Sequence, residues 1–199
     1  MVSGVGGEEG MNTLILVVYG ISLALFALAL LWILVPAFYG LPSKPTKPDR
    51  IRTALRLAGL KAGETLYDLG AGDGRVLLIA AREFGAKAVG IEVAPVQILL
   101  IWLKILLGGL RERVEVQWGN FYRADLSRAD VVFIYATLGE LMKLAPHLQN
   151  QMRAGTRLVS IAADVPEWEP SVFDEESLIF VYEMPPREGS LTTYLLKRD

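Results

Sequence analysis

Two kinds of hydrophobic patterning divide the chain. From Gly10 to Ser43 no residue is charged, and Thr13–Val35 reads TLILVVYGISLALFALALLWILV, apolar on every side of a helix. A helix of that length rises roughly 35 Å, enough to cross a hydrocarbon core of about 30 Å. Beyond Asp49 the pattern changes to short apolar runs of strand length that alternate with stretches of helical period. ETLYDLG, KAVGIEV, RVEVQWGN, ADVVFIYAT and TRLVSIAAD predict strands. Between them fall a helix over GRVLLIAAREFG that stops at Gly85, one over Pro95–Leu107 and one over Leu138–Met152. A further helix, capped by Asp49 and ending near Ala58 with Gly59 just past it, places Ile51, Leu55 and Ala58 on one face. SLIFVYEM and SLTTYLLKRD, joined by PPREG, predict a closing hairpin. The alternation implies an α/β fold: a doubly wound, mostly parallel seven-stranded sheet covered on both faces, behind an N-terminal transmembrane helix.

The expected organisation is a short extracytoplasmic tail over 1–12, a transmembrane helix over 13–36, a linker over 37–48 and a head domain over 49–199. No basic residue precedes the apolar run, whereas Lys44, Lys47, Arg50 and Arg52 follow it, which puts the head on the cytoplasmic side of a single-pass anchor. Tyr39 stands where an interfacial aromatic belongs. A cleaved signal fits less well, because MVSGVGGEEG carries acids and no base and the apolar run exceeds a signal core.

Composition changes this picture little. The formal charge of −2 stems from Glu8 and Glu9, and without them the chain carries 20 basic and 20 acidic residues. No overall field argues for a nucleic-acid partner. The absence of cysteine excludes disulfides and thiolate metal sites.

The candidate chemistry lies in YDLGAGDGR, Tyr67–Arg75, a glycine-rich turn between a strand and a helix. Such turns lie at the carboxyl ends of the strands, where ligands bind in doubly wound folds. Glycine allows unusual backbone angles there and lets a ligand approach main-chain N–H groups. A phosphate loop would need a Gly-Lys-Ser/Thr ending that is absent. A dinucleotide fingerprint would need glycine at 75, where Arg75 stands. Glycines at 70, 72 and 74, with Asp68 before them and Asp73 among them, suit a cationic ligand carrying ammonium and sulfonium groups, namely S-adenosyl-L-methionine. Glu92, at the end of the next strand, is placed to accept hydrogen bonds from ribose hydroxyls. After the third strand, Asn120 could meet an adenine edge through its side-chain carbonyl and Phe121 could stack on the ring.

With those residues in place, the chain resembles the class I S-adenosylmethionine-dependent methyltransferases. More narrowly, it resembles the membrane-anchored protein-lysine methyltransferases of the ATP synthase c-subunit and adenine nucleotide translocator type and their prokaryotic relatives. The shared features are the apolar N-terminal segment, KPTKPDRI, YDLGAGDGRVLLIAAREFGAKAVGIEVAP and VPEWEP. The resemblance implies cofactor contacts at Asp68, Gly70, Ala71, Gly72, Asp73, Gly74 and Glu92. At Asn120 that family more often has an acid. It also implies a lysine acceptor in a membrane protein, with the bilayer as partner through residues 13–36 and no nucleic acid. After the fourth strand the chain has IYATLG where many other amino methyltransferases have Asn/Asp-Pro-Pro-Tyr, which leaves Tyr135 and Thr137 nearest the transfer point. Trp168 is a candidate wall of the substrate channel. His147, the only histidine, reads as a surface residue in a helix. A lipid or small-molecule acceptor, and a non-catalytic scaffold of the same fold, stand as alternatives. Val96–Leu110 is apolar nearly all round, so that helix either packs beneath other elements or touches the bilayer or the anchor.

Overall fold

The computed structural model describes residues 5–38 and 46–197. The apolar N-terminal run forms one helix, α1 (Val5–Phe38), whose stretch Gly10–Trp32 is long and apolar enough to cross a membrane and has no side chain buried against the rest of the protein. The expected interfacial Tyr39 and the flanking Lys44 lie outside the described residues.

The head begins with α2 (Pro48–Leu57). Its N-cap is Lys47 rather than the expected Asp49, because Pro48 takes the first helical position, where no N–H is needed. Asp49 falls in the first turn and pairs with Arg52. Gly59 follows with φ +61°, the left-handed residue past the helix end. Then come β1 (Thr65–Leu69), α3 (Arg75–Glu83), β2 (Lys87–Glu92), α4 (Pro95–Leu107), β3 (Val114–Trp118), a 3₁₀ turn (Phe121–Arg123), β4 (Val131–Ile134), α5 (Leu138–Gln151) and β5 (Arg157–Ile161). The chain ends in β6 (Trp168–Glu169), β7 (Val172–Asp174), β8 (Ile179–Glu183), β9 (Arg187–Glu188) and α6 (Leu191–Leu196).

Seven strands form one sheet in the order β3-β2-β1-β4-β5-β8-β7. The first five are parallel and β8 and β7 are antiparallel to their neighbours. The order reverses between β1 and β4, which places the ligand crevice at their carboxyl ends. Strand period sorts the core: Leu66, Val131, Phe133 and Val159 join α2, α3 and α4 on one face, while Tyr67, Val132, Ile134 and Leu158 join α5 and the 3₁₀ turn on the other.

The C-terminal expectation is corrected. SLIFVYEM supplies β8, but its hairpin partner is β7, upstream, and Ser177 N–H donates to Asp174 in the connecting turn. SLTTYLL forms α6 instead of a strand, because the Ser190 hydroxyl caps the N–H of Thr193 and starts a helix there. PPREG is not a simple turn either. It holds β9, which pairs with β6 in a separate two-stranded sheet.

Thr137 caps α5 in a reciprocal box: Glu140 N–H faces its hydroxyl, while the Glu140 carboxylate accepts from both the N–H and the hydroxyl of Thr137 at 2.8 Å. Thr137→Ala should therefore lower unfolding stability by about 1 kcal/mol. Chemical denaturation would measure this, and an unchanged midpoint would remove the cap as the role of Thr137.

Candidate cofactor site

Successive glycines shape the turn between β1 and α3, with φ +85° at Gly70, +54° at Gly72 and +78° at Gly74, angles that other residues adopt only with strain. The N–H groups of Gly70 and Ala71 both reach the carbonyl of Ile91 at the end of β2, at 2.9 and 3.1 Å. Space matters as much as torsion. A Cβ on Gly74 would meet Ile101 at 2.9 Å, and one on Gly90, in mid β2, would meet Leu77 at 2.6 Å and Ala71 at 2.8 Å. Gly90 is not among the sequence candidates, although a glycine inside a strand signals such a close approach.

Asp68, next to last in β1, has only 3% of its surface exposed and makes no hydrogen bond with any described residue. Burial, then the nearby charges of Glu92 and Asp73, hold its carboxyl well above the usual carboxylate range. A buried, unpartnered acid at a ligand crevice is what a cationic group would satisfy. The residues present fit the expected cofactor on this point.

Glu92 is 8% exposed and already engaged: Oε2 accepts from Gly72 N–H at 2.7 Å, and Oε1 accepts from the N–H groups of Val93 and Ala94, both at 2.9 Å. Three of about four acceptor positions on the carboxylate are thus filled, and the open one is on Oε2. That is less than the pair of ribose contacts its spacing suggests.

Asp73 faces cations of the protein itself. Arg75 grips it with a fork, Nε to Oδ1 at 2.9 Å and Nη2 to Oδ2 at 2.8 Å, and Lys104 Nζ stands 3.7 Å away. Burial works to raise its carboxyl, but the Arg75 hydrogen bonds and the two positive charges override this and hold it below the ordinary range. Lys104 also donates to the Asp73 carbonyl at 2.6 Å, and Arg75 Nη1 donates to the carbonyl of Thr46 at 3.0 Å. The turn is therefore braced from α4 and from the segment that follows α1. Neither brace is legible in the sequence, since contact with Lys104 and Thr46 exists only in the fold.

The other candidates scatter more. Asn120 Oδ1 accepts from Tyr122 N–H and so caps the 3₁₀ turn. Phe121 is buried in the core with its ring 4.6 Å from that of Tyr122. Trp168 is buried in the same core, edge-on to Tyr182. Tyr135 is half-buried just beyond β4, with the Arg50 guanidinium 5.8 Å from its ring centre. His147 Nε2 lies 3.0 Å from the carbonyl of Ala124 and ties α5 to the loop after the 3₁₀ turn. Among the described residues no cluster could hold a metal ion.

The strand order, the glycine turn and the acids at the ends of β1 and β2 define an S-adenosylmethionine-dependent methyltransferase of the Rossmann-like kind. A solved RNA methyltransferase from Salinibacter ruber, in complex with S-adenosyl-L-homocysteine, superposes with a TM-score of 0.69 at 34% identity, over 74% of this chain and 97% of that one. The chain belongs to the family of the ANTKMT methyltransferase domain, whose model matches residues 68–172. It is 35% identical over 132 residues to a protein-lysine N-methyltransferase of Saccharolobus islandicus, covering 65% of this chain and 81% of that protein. The ATP synthase c-subunit lysine N-methyltransferase of Xenopus laevis is 27% identical over 165 residues, covering 80% of this chain and 70% of its own length.

Proposed function

We propose that the protein is anchored in a membrane by α1 and N-methylates a lysine of a membrane-associated protein on the cytoplasmic side. The observation that carries this reading is the bond from Arg75 to the Thr46 carbonyl: the first described residue after the anchor is fastened to the turn that holds the cofactor. A substrate confined to the same bilayer would meet the site at short range. The names of the Xenopus laevis and Saccharolobus islandicus relatives support a lysine acceptor.

When bound, S-adenosylmethionine supplies a methyl group activated by its sulfonium. The chain's residues must hold it, position the acceptor and keep that acceptor uncharged. In this reading Asp68 takes the cationic end of the cofactor and the N–H groups around Gly70, Ala71, Gly72 and Gly74 line it. Glu92 takes a ribose hydroxyl on its open Oε2 position, and Asn120 and Phe121 border the adenine. Asp73 contributes by fixing the turn. Tyr135 orients the amine. The Arg50 charge over its ring disfavours an ammonium there and so favours the neutral nucleophile. Thr137 and Trp168 shape the mouth through the cap and the core packing they provide.

A lipid acceptor is the second reading, since the same tether brings lipid headgroups near. Incubating the full chain with native membranes and methyl-labelled S-adenosylmethionine separates these. Label is expected in protein, and in methyl-lysine after acid hydrolysis. Label in the lipid or RNA fraction instead would overturn the lysine reading. Label in none of them, with cofactor still bound, would point to a scaffold.

A further inference from the structure

The helix α4 has two unlike faces. Its inner face carries Ile101 and Ile105 in the core, with Ile101 filling the space beside Gly74 and Lys104 bound to the Asp73 carbonyl. Its outer face carries Leu99, Trp102, Leu103, Leu106 and Leu107, one stripe at helical spacing, every one of them exposed and Leu107 by 86%. No carboxylate occurs between Pro95 and Leu110, and the Arg111 guanidinium lies 5.8 Å from the Trp102 ring centre. A helix laid on a sheet at the surface of a water-soluble head should turn polar residues outward. A contiguous row of leucines around a tryptophan instead marks an interaction surface.

The anchor identifies what covers it. The described part of α1 touches α4, yet the stripe stays exposed beside it. Only residues 39–45 separate the end of α1 from Thr46, which is tied to Arg75. Eight peptide steps reach at most about 28 Å, so the head cannot leave the surface of a bilayer that α1 spans. We propose that the outer face of α4 lies in the headgroup–acyl boundary of that bilayer, with the leucines in the acyl layer and Trp102 and Arg111 at the level of the headgroups. An amphipathic helix lying in the interface has this arrangement of apolar row, tryptophan and base. The proposal rests on the membrane reading of α1. It adds that the helix bracing the cofactor turn on one side rests on lipid with the other.

The absence of cysteine makes the test direct. Single variants Leu99→Cys, Leu103→Cys and Leu107→Cys of the full chain carry a nitroxide in vesicles of phosphatidylcholine and phosphatidylglycerol. Collision rates with oxygen and with a water-soluble nickel chelate are compared with those at Ala24→Cys in α1 and Glu112→Cys beyond α4. Retained cofactor binding shows that each variant is folded. The expected result is a preference for oxygen at 99, 103 and 107, as at 24, reversed at 112. Nickel access at the three sites equal to that at 112 would overturn the proposal while leaving the anchor intact. Shielding from both reagents would also overturn it, in favour of a second copy or another protein on this face. Nickel access at 24 would overturn the anchor reading and this one with it.

Discussion

Asp68→Asn is expected to make the free protein more stable at neutral pH and, at the same time, to remove most of its affinity for S-adenosylmethionine. The Asp68 carboxyl is buried, makes no hydrogen bond with a described residue and is held well above its ordinary range by burial and by the charges of Glu92 and Asp73. A group whose folded pKa lies above its unfolded value favours folding only when protonated. Its penalty is absent below the unfolded pKa and grows as pH rises toward the folded one. The amide removes the penalty, so the variant should melt higher at pH 7, by about 2–4 °C for each 1 kcal/mol recovered, and the gain should vanish near pH 4. Saturating cofactor should reverse the order, because a ligand at a hundred times its dissociation constant adds about 2.7 kcal/mol to the form that binds it. The same titration predicts that the parent's affinity weakens about tenfold per pH unit below the Asp68 pKa, since a cation binds only the ionised form. Thermal melts with and without cofactor, together with calorimetry across pH, test all of this. A variant that melts lower without cofactor, or binds it as well as the parent does, would remove Asp68 from the site.

How much of this could be read in the chain depended on whether the determinant was local. The glycine turn was legible because Gly70, Gly72 and Gly74 announce their own backbone angles, and the sheet was legible because its strands are short apolar runs between helical periods. The partners of Asp73 were only half legible. Arg75 is two residues away, but Lys104 reaches it from α4, and Arg75 in turn is tied to Thr46, just before α2. Thr137 carries a second local signal besides its place after β4. Thr-Leu-Gly-Glu is a capping sequence, and the structure uses it as one. At the C-terminus, Thr192, Thr193 and Tyr194 favour a strand by propensity. The Ser190 cap and the Lys197–Glu169 pair, which joins the end of α6 to β6, decide otherwise. Gly90 carried a readable sign, but its purpose, room for Leu77 and Ala71 under the turn, is visible only with the helix in place.

Glu92→Gln should act in the opposite sense to Asp68→Asn, although both replace a nearly buried acid by its amide in the same crevice. Glu92 is surrounded by donors, with Gly72 N–H on one oxygen and Val93 and Ala94 N–H on the other. A glutamine must turn its NH₂ toward one side or the other. One orientation sets it against Gly72 N–H and the other against the Val93 and Ala94 pair, and either leaves at least one donor without an acceptor. Hydrogen bonds to a charged group are worth about 1.5–3 kcal/mol, and an unmet buried donor costs about 1–3 kcal/mol. The variant should therefore unfold earlier, by about 1–3 kcal/mol, with or without cofactor. Because Gly72 N–H holds the turn to Glu92, cofactor affinity should fall as well, by roughly ten- to a hundredfold if one charge-assisted contact is also lost. Comparing the two variants in denaturant and by calorimetry gives a sign test. One carboxylate is buried without a hydrogen bond to any described residue, so its ionisation costs stability and the amide relaxes the free protein. The other is a clamp on three backbone N–H groups, so neutralising it loosens the turn. Equal effects of the two amides on the stability of the free protein would mean that this division of labour is wrong.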